Sequence, residues 1–389
     1  MAVLVVPEYL RQFAEPSGYL DFARFGPVSA RVTEVLARSA ERLHREGWEI
    51  LDGLDAQTAT AARTAGDVLG CAPHEIAFVS STSHGLFAAA HALGAAAPRG
   101  TAGPSGGTVL VSRSDFPGAL YPWLRASGNG GLTVRQIDGP LTADTVRAHL
   151  DDRVRAVSVC AVDAATGTRA PVAAIKEAIG PHRVLVVDAI QALGAVEFAA
   201  DAADVLAAGG QKWLRAGWGA AVLMVRDRVS GQLAPGLGGW SGVVDPIEAP
   251  GHPCPARPGA VAHTVTNPDG PAVAALGAAL ALARDVGIGR INALIAEALD
   301  GLLGAARAAG AETHGGERGV GETPGVSGIA RLRLPGTDPA AVHRVLAEAG
   351  VSTTLRGGWI RLSPHASTDP AAAGLLGDAL RTVRAVRAA

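Results

Sequence analysis

Val184-Leu185-Val186-Val187-Asp188-Ala189-Ile190-Gln191, followed by Gly209-Gly210-Gln211-Lys212-Trp213, is the stretch on which the reading of this 389-residue chain turns. Four aliphatic residues in a row end in an acid. A continuous apolar run, unlike an alternating one, suits a strand buried on both faces, as in a parallel sheet covered by helices. A second apolar run, 204–208, leads into a glycine-rich turn, and Lys212 lies 24 positions after Asp188. An acid at a strand end can keep a pyridinium nitrogen protonated, and a lysine in a turn can form a Schiff base with an aldehyde. The crevice beyond the carboxyl ends of parallel strands is where open α/β sheets take their ligands.

Working outward, strands are expected at 76–80, 108–112, 133–137, 156–162, 184–189, 204–208 and 220–225. Alanine-rich segments between them, such as 85–97 and 171–179, suit crossover helices. The fold class is α/β, with a mainly parallel seven-stranded sheet in a large domain spanning 19–283 and an arm, 1–18, before it. The Gly- and Pro-rich region 231–270 is too long for an idle connector and is expected to cover a site or an interface. After it the pattern changes. Residues 329–334 alternate like a strand, Asp338-Pro339 opens a helix that Gly350 stops, and 353–355 and 359–362 flank Gly357-Gly358 as a hairpin. This order predicts a smaller α+β domain over 284–389.

Composition excludes several classes. Lys+Arg 34 against Asp+Glu 36 gives a net charge of -2, without the basic footprint of a nucleic-acid binder. An apolar fraction of 48% excludes a disordered chain, and no apolar run reaches the length of a membrane span. Residues 1–10 lack the basic region of a secretory leader. Three cysteines without CxxC spacing argue against a disulfide framework or a zinc cage. A cytoplasmic protein acting on a small molecule, without metal, membrane or nucleic acid, is the expectation.

The text from Asp188 through Gln191 to Lys212-Trp213 resembles the aminotransferase class V family, a branch of the fold-type-I pyridoxal 5'-phosphate (PLP) enzymes. The resemblance runs from Tyr19-Leu20-Asp21 to Ile360-Arg361-Leu362-Ser363-Pro364-His365. It implies that Lys212 binds the cofactor covalently, that Asp188 pairs with the ring nitrogen and that Gln191 bonds the ring's phenolic oxygen. Thr82 and Ser83, where a strand gives way to an alanine-rich helix, match the family's phosphate cradle, as a helix N-terminus should. Phe116, in Ser114-Asp115-Phe116-Pro117, would stack on the pyridine as in kynureninases. Arg361 would clamp a substrate α-carboxylate, with Arg356 second in line. Thr266 or Asn267 would reach the phosphate of a neighbouring subunit, which implies a homodimer with shared sites.

Departures from relatives bear on the reaction. Gln211 stands where many members place a histidine against the phosphate, and Ala164 where many place an asparagine against the ring oxygen. Cysteine desulfurases carry a catalytic cysteine shortly before the arginine clamp, and 346–360 contains none. The favoured expectation is β-elimination, as in a C–S lyase acting on a cysteine-type conjugate. The short Arg-Leu-Ser-Pro-His ending resembles the hercynylcysteine sulfoxide lyases. Transamination and then epimerisation follow. A desulfurase and a PLP-binding regulator without turnover rank below these.

Overall fold

The computed structural model describes residues 4–96, 107–248, 251–316 and 326–388; Ala97, the last position of one expected helix, lies outside them. The chain begins with α1 (Val6–Leu10), α2 (Ala30–Glu46) and α3 (Ile50–Leu69). Ser29 caps α2 by accepting the Val32 N–H, and Gly70 ends α3 in the left-handed conformation. The large sheet follows as β1 (Ile76–Val79), α4 (Thr82–Ala95), β2 (Thr108–Ser112), α5 (Pro117–Gly128), β3 (Thr133–Ile137), α6 (Ala143–Arg147), β4 (Val154–Cys160), α7 (Val172–Ile179), β5 (Val184–Asp188), β6 (Val205–Gly209) and β7 (Ala221–Val225). A long segment of short 3-10 turns then leads to α8 (Gly270–Val286) and α9 (Ile288–Ala308). The last part is β8 (Glu312–Gly315), β9 (Ala330–Arg333), α10 (Pro339–Glu348), β10 (Thr354–Arg356), β11 (Trp359–Leu362) and α11 (Ala371–Ala388).

All seven expected strands form one sheet, in the order β1-β7-β6-β5-β4-β2-β3. Pairing is parallel from β6 through β5, β4 and β2 to β3, and β7 runs antiparallel to both β6 and β1. The reversed strand positions the chemistry. A parallel neighbour needs a crossover helix, whereas an antiparallel one can be reached by a turn at the same edge. The chain therefore leaves β6 at its carboxyl end and turns back through residues 210–220, so Lys212 stays at the crevice where β5 delivers Asp188. β4 ends at Cys160 rather than at 162, because Val162 leaves the ladder to bridge Arg169.

The second sheet, β10-β11-β9-β8, is antiparallel throughout. The expected hairpin is β10 and β11, turned by Gly357 and Gly358, both with positive φ. β8 was not expected. Its Glu-Thr-His-Gly sequence is exposed or half-buried along its length and has no apolar alternation, so only pairing with β9 makes it a strand.

One core packs the large sheet against α3 and α8, and a second fills its other face beneath α4 and α5. A third lies on the small sheet against α9, α10 and α11. α9 belongs to two of them, with Ile291 and Ile295 in the first core and Leu299, Leu302 and Leu303 in the third. The strip before α2 does the same: Leu20 enters the third core and Phe22 the first, while Tyr19 and Asp21 bridge Ser352 and Ser363. Among the described residues no single helix is long and apolar enough to cross a membrane; α8 and α9 pass such a test only as a pair, and they bend by 84° where they meet.

Candidate active site

Asp188 closes β5 and is buried. Its carboxylate accepts the Ile190 N–H at 3.0 Å. Burial pushes its pKa up to about 6, against the opposing pull of that bond and of the nearby Lys212 cation. Lys212 shows the mirror effect. Burial pulls its amine down to about 8, Asp188 resists, and Arg361 and Arg356 add to the fall. The amine lies 5.9 Å from the centre of the Phe116 ring, and the Arg356 guanidinium 5.3 Å from it. Asp188, Phe116, Lys212, Arg356 and Arg361, far apart in sequence, thus converge.

Arg361 is buried at the head of the cluster. One amino group donates to the Ala164 carbonyl at 2.8 Å, the other to Asp21 at 3.0 Å. Its Nε has no partner among the described residues. A buried guanidinium with an unsatisfied donor at the substrate end of a crevice is suited to a carboxylate.

At the opposite end, Ser81 caps α4 by accepting the His84 N–H at 3.1 Å, so Thr82 and Ser83 occupy the first turn, where backbone N–H groups are free. The Thr82 hydroxyl accepts the Gly209 N–H at 2.8 Å. A Cβ on Gly209 would meet Gln211 Oε1 at 2.3 Å and Thr82 Oγ1 at 3.2 Å. A side chain at 209 would thus push the Gln211 amide aside. Gly118 lies between the Phe116 ring and Ser83 Oγ, its would-be Cβ 3.2 Å and 3.5 Å from them. Thr82, Ser83, Gln211 and Phe116 therefore share one end of the crevice.

Gln191 is buried with both ends of its amide engaged. Its oxygen accepts the Trp213 indole N–H at 2.8 Å, and its nitrogen donates to the Ala23 carbonyl at 2.9 Å. One N–H of the amide is left over from these two bonds. Thr266 and Asn267 are exposed on this chain, and Thr266 accepts the Trp240 indole N–H at 3.2 Å.

Sequence reasoning missed two features. Asp115, next to Phe116, hydrogen-bonds Cys160 and faces Asp188 and Asp163; burial, then the Asp188 charge, push it up to about 7. Only the fold brings it there, as the end of β2 meets the end of β4. The other was in plain view: the chain has just two lysines, Lys176 and Lys212. Lys176 is committed to Asp204 at 2.6 Å, which leaves Lys212 as the lysine amine in the crevice.

The residues fit a flat aldehyde carrying a phosphate: an amine of lowered pKa, a buried acid, an aromatic ring beside the amine and a helix N-terminus. The family model for aminotransferase class V matches residues 23–359. This chain belongs to the aminotransferase class V family. PLP is its cofactor. A probable cysteine desulfurase of Aeropyrum pernix is 30% identical over 232 residues, 57% of this chain and 55% of that protein. The match thus spans about half the length of that curated relative. The apo structure of a cysteine desulfurase from Thermococcus onnurineus NA1 superposes with a TM-score of 0.83 at 20% identity, over 99% of this chain and 100% of the other. A cystine C–S lyase in complex with its product, cysteine persulfide, gives 0.79 at 18%, over 93% and 97%. These similarities establish the fold-type-I architecture.

Proposed function

We propose that this class V enzyme is a lyase that breaks the bond between Cβ and a sulfur substituent of a cysteine-type amino acid. In this reading Arg361 takes the substrate α-carboxylate, with Arg356 beside it. Thr82, Ser83 and Gln211 hold the cofactor phosphate, Phe116 covers the ring, Asp188 keeps the ring nitrogen protonated and Gln191 offers its spare N–H to the ring oxygen. When bound, the cofactor delocalises the electron pair left on Cα. Lys212, lowered to about 8, takes the Cα proton near neutral pH, since a base works best close to its own pKa. The C–S bond then breaks and sulfur departs with the bonding pair.

The observation that carries elimination over sulfur transfer is the state of the thiols. Residues 346–360 contain no cysteine. Cys160, beside Asp188, is held far above the ordinary thiol range by burial and by the Asp188, Asp115 and Asp163 charges, so it stays a thiol and is a poor nucleophile. The lyase among the structural neighbours is in keeping with this reading. The test is incubation with a panel of amino acids and cysteine S-conjugates. Pyruvate and ammonia released without a keto-acid acceptor support it. Acceptor-dependent product, or α-proton exchange without net product, overturns it in favour of transamination or epimerisation.

We further propose a homodimer in which Thr266 or Asn267 approaches the phosphate of the neighbouring subunit. Trp240, Ile247 and Val265, all on or beside the same long segment, are exposed apolar side chains that such an interface would cover. Light scattering on the purified chain measures the mass; a monomer at micromolar concentration removes the proposal.

A further inference from the structure

The turn that carries Lys212 contains a conformational anomaly. Arg215, three residues on, has φ 60°, and with Asp245 it is one of two non-glycine residues in that region among the described residues. A side chain there crowds its own backbone, so such a residue persists only where the surroundings hold it. Arg215 is fully buried. Its guanidinium forms an ion pair with Glu15, donates to the Pro27 carbonyl and to Ser367 Oγ at 2.8 Å, and approaches His365 Nδ1 at 3.4 Å. The Phe13 ring lies 3.8 Å from it and Phe22 5.0 Å. His365 is itself buried and held neutral by burial and the Arg215 charge, so it adds no cation to the cluster.

These partners come from two places, the segment before α2 (Phe13, Glu15, Phe22, Pro27) and the corner after β11 (His365, Ser367), which meet on the lysine turn. The same segment grips the turn through its backbone. The Gly26 N–H donates to the Gln211 carbonyl at 2.8 Å, and the Arg215 N–H to the Lys212 carbonyl at 3.1 Å. A Cβ on Gly26 would lie 2.1 Å from the Lys212 carbonyl oxygen and 2.8 Å from Arg215 Cγ. The peptide bonds on both sides of Lys212 are thus held by residues 26 and 215.

We propose that Arg215 is a positioning residue for Lys212: clamped by Glu15 and Ser367, its guanidinium holds the strained turn closed and keeps the lysine amine in the dry crevice. The inference rests on Lys212 being the reactive amine. It assigns to the N-terminal segment and the corner after β11 a shared part in setting that amine's environment.

The readout is the amine itself. With only two lysines, the pH dependence of labelling by an amine-reactive reagent can be followed at each by peptide mass spectrometry on the full-length, cofactor-free chain, with Lys176 as internal control. Arg215→Gly removes the guanidinium while allowing the backbone conformation. The expected result is a rise of the Lys212 midpoint, on the order of one pH unit, toward the ordinary lysine value as water reaches the amine. The Lys176 midpoint does not move, and added guanidinium or ethylguanidinium ion restores the Lys212 value. An unchanged Lys212 midpoint, even with a lower melting temperature, overturns the proposal and leaves Arg215 a structural residue. If Arg215→Gly does not fold, Ser367→Ala removes one arm of the clamp: a smaller rise supports the proposal, and no rise overturns it. Whether the cofactor's visible band survives in Lys212→Ala tests the functional reading separately, because the labelling needs no cofactor.

Discussion

Cys160 stands opposite Asp188 in the parallel register of β4 and β5, so a thiol and the buried acid share the floor of the crevice. The proximity tempts one to make this thiol a sulfur acceptor, but its surroundings oppose that. Three carboxylates face it, and each favours the protonated form. Changing Cys160 to Ala is therefore expected to leave cofactor binding and most of the turnover intact. Cys254→Ser is expected to do the same, since among the described residues its sulfur reaches only backbone carbonyls, at 3.7 Å and 3.9 Å. Steady-state assays with a cysteine conjugate decide the matter. Loss of turnover in either variant, with the visible spectrum unchanged, would reopen thiol chemistry.

Lys212→Ala is expected to abolish the visible band of the lysine-bound cofactor while leaving the fold in place. Lys176→Arg should keep the band, because Lys176 serves Asp204, at 2.6 Å, at the amino end of β5, away from Asp188 at its carboxyl end. Absorbance spectra of the two purified variants, with circular dichroism as the folding control, form a clean pair. A persisting band in the alanine variant removes the central assignment.

Asp188→Asn removes the charge but leaves an acceptor for the Ile190 N–H. Cofactor should still bind, since the phosphate end of the site does not involve Asp188. Turnover should fall on the order of a hundredfold or more, the scale on which preorganised charge acts in such sites. Near-normal kcat would show that the ring nitrogen has no need of this acid.

How far the sequence carried the fold and the site follows from which signals are local. Several of the seven strands are visible as runs of aliphatic residues, as in Val184-Leu185-Val186-Val187, because burial on both faces requires nothing else; the edge strand β3, Thr-Val-Arg-Gln-Ile, is mostly exposed or half-buried and shows only its β-branched residues. β8 was invisible because its identity comes from its partner β9. The convergence at Lys212 was partly legible, since strand ends of one sheet must share an edge. The Arg215–Glu15 pair joins residues 200 apart, and the Asp115–Cys160 contact joins two different strand ends. Neither has a spacing that a motif could capture. Only the packed chain shows them.

Asp115 leads to a prediction about stability. Its folded pKa, about 7, stands above the ordinary carboxyl value of 3.8. The folded state thus binds its proton more tightly than the unfolded chain does. The stability this contributes is fully present below about pH 4 and is lost as pH rises through 7. Asp115→Asn should therefore gain stability relative to wild type on going from pH 5 to pH 8, by roughly 1–3 kcal/mol. Urea melts of the cofactor-free proteins at both values measure the difference. A constant gap between the two proteins would mean that Asp115 is ionised in an unexceptional environment.

The substrate clamp can be tested by exchanging one cation for another. Arg361 spends its two amino groups on the Ala164 carbonyl and Asp21, and its Nε is the donor left bare. A lysine has one nitrogen in place of three, and it cannot span Ala164 and Asp21 while presenting a further donor. Arg361→Lys keeps the charge near Asp21, so the fold should survive, which a melting curve can verify. The charge-assisted bonds to the substrate carboxylate should weaken by roughly 1.5–3 kcal/mol, a rise in KM of about ten- to a hundredfold. Arg356, exposed on β10 with its guanidinium over the Phe116 face, should tolerate the same exchange with a smaller effect. If KM moves in Arg356→Lys and not in Arg361→Lys, the α-carboxylate is bound at the mouth of the crevice. The buried arginine then serves only to tie Asp21 to the 164 turn.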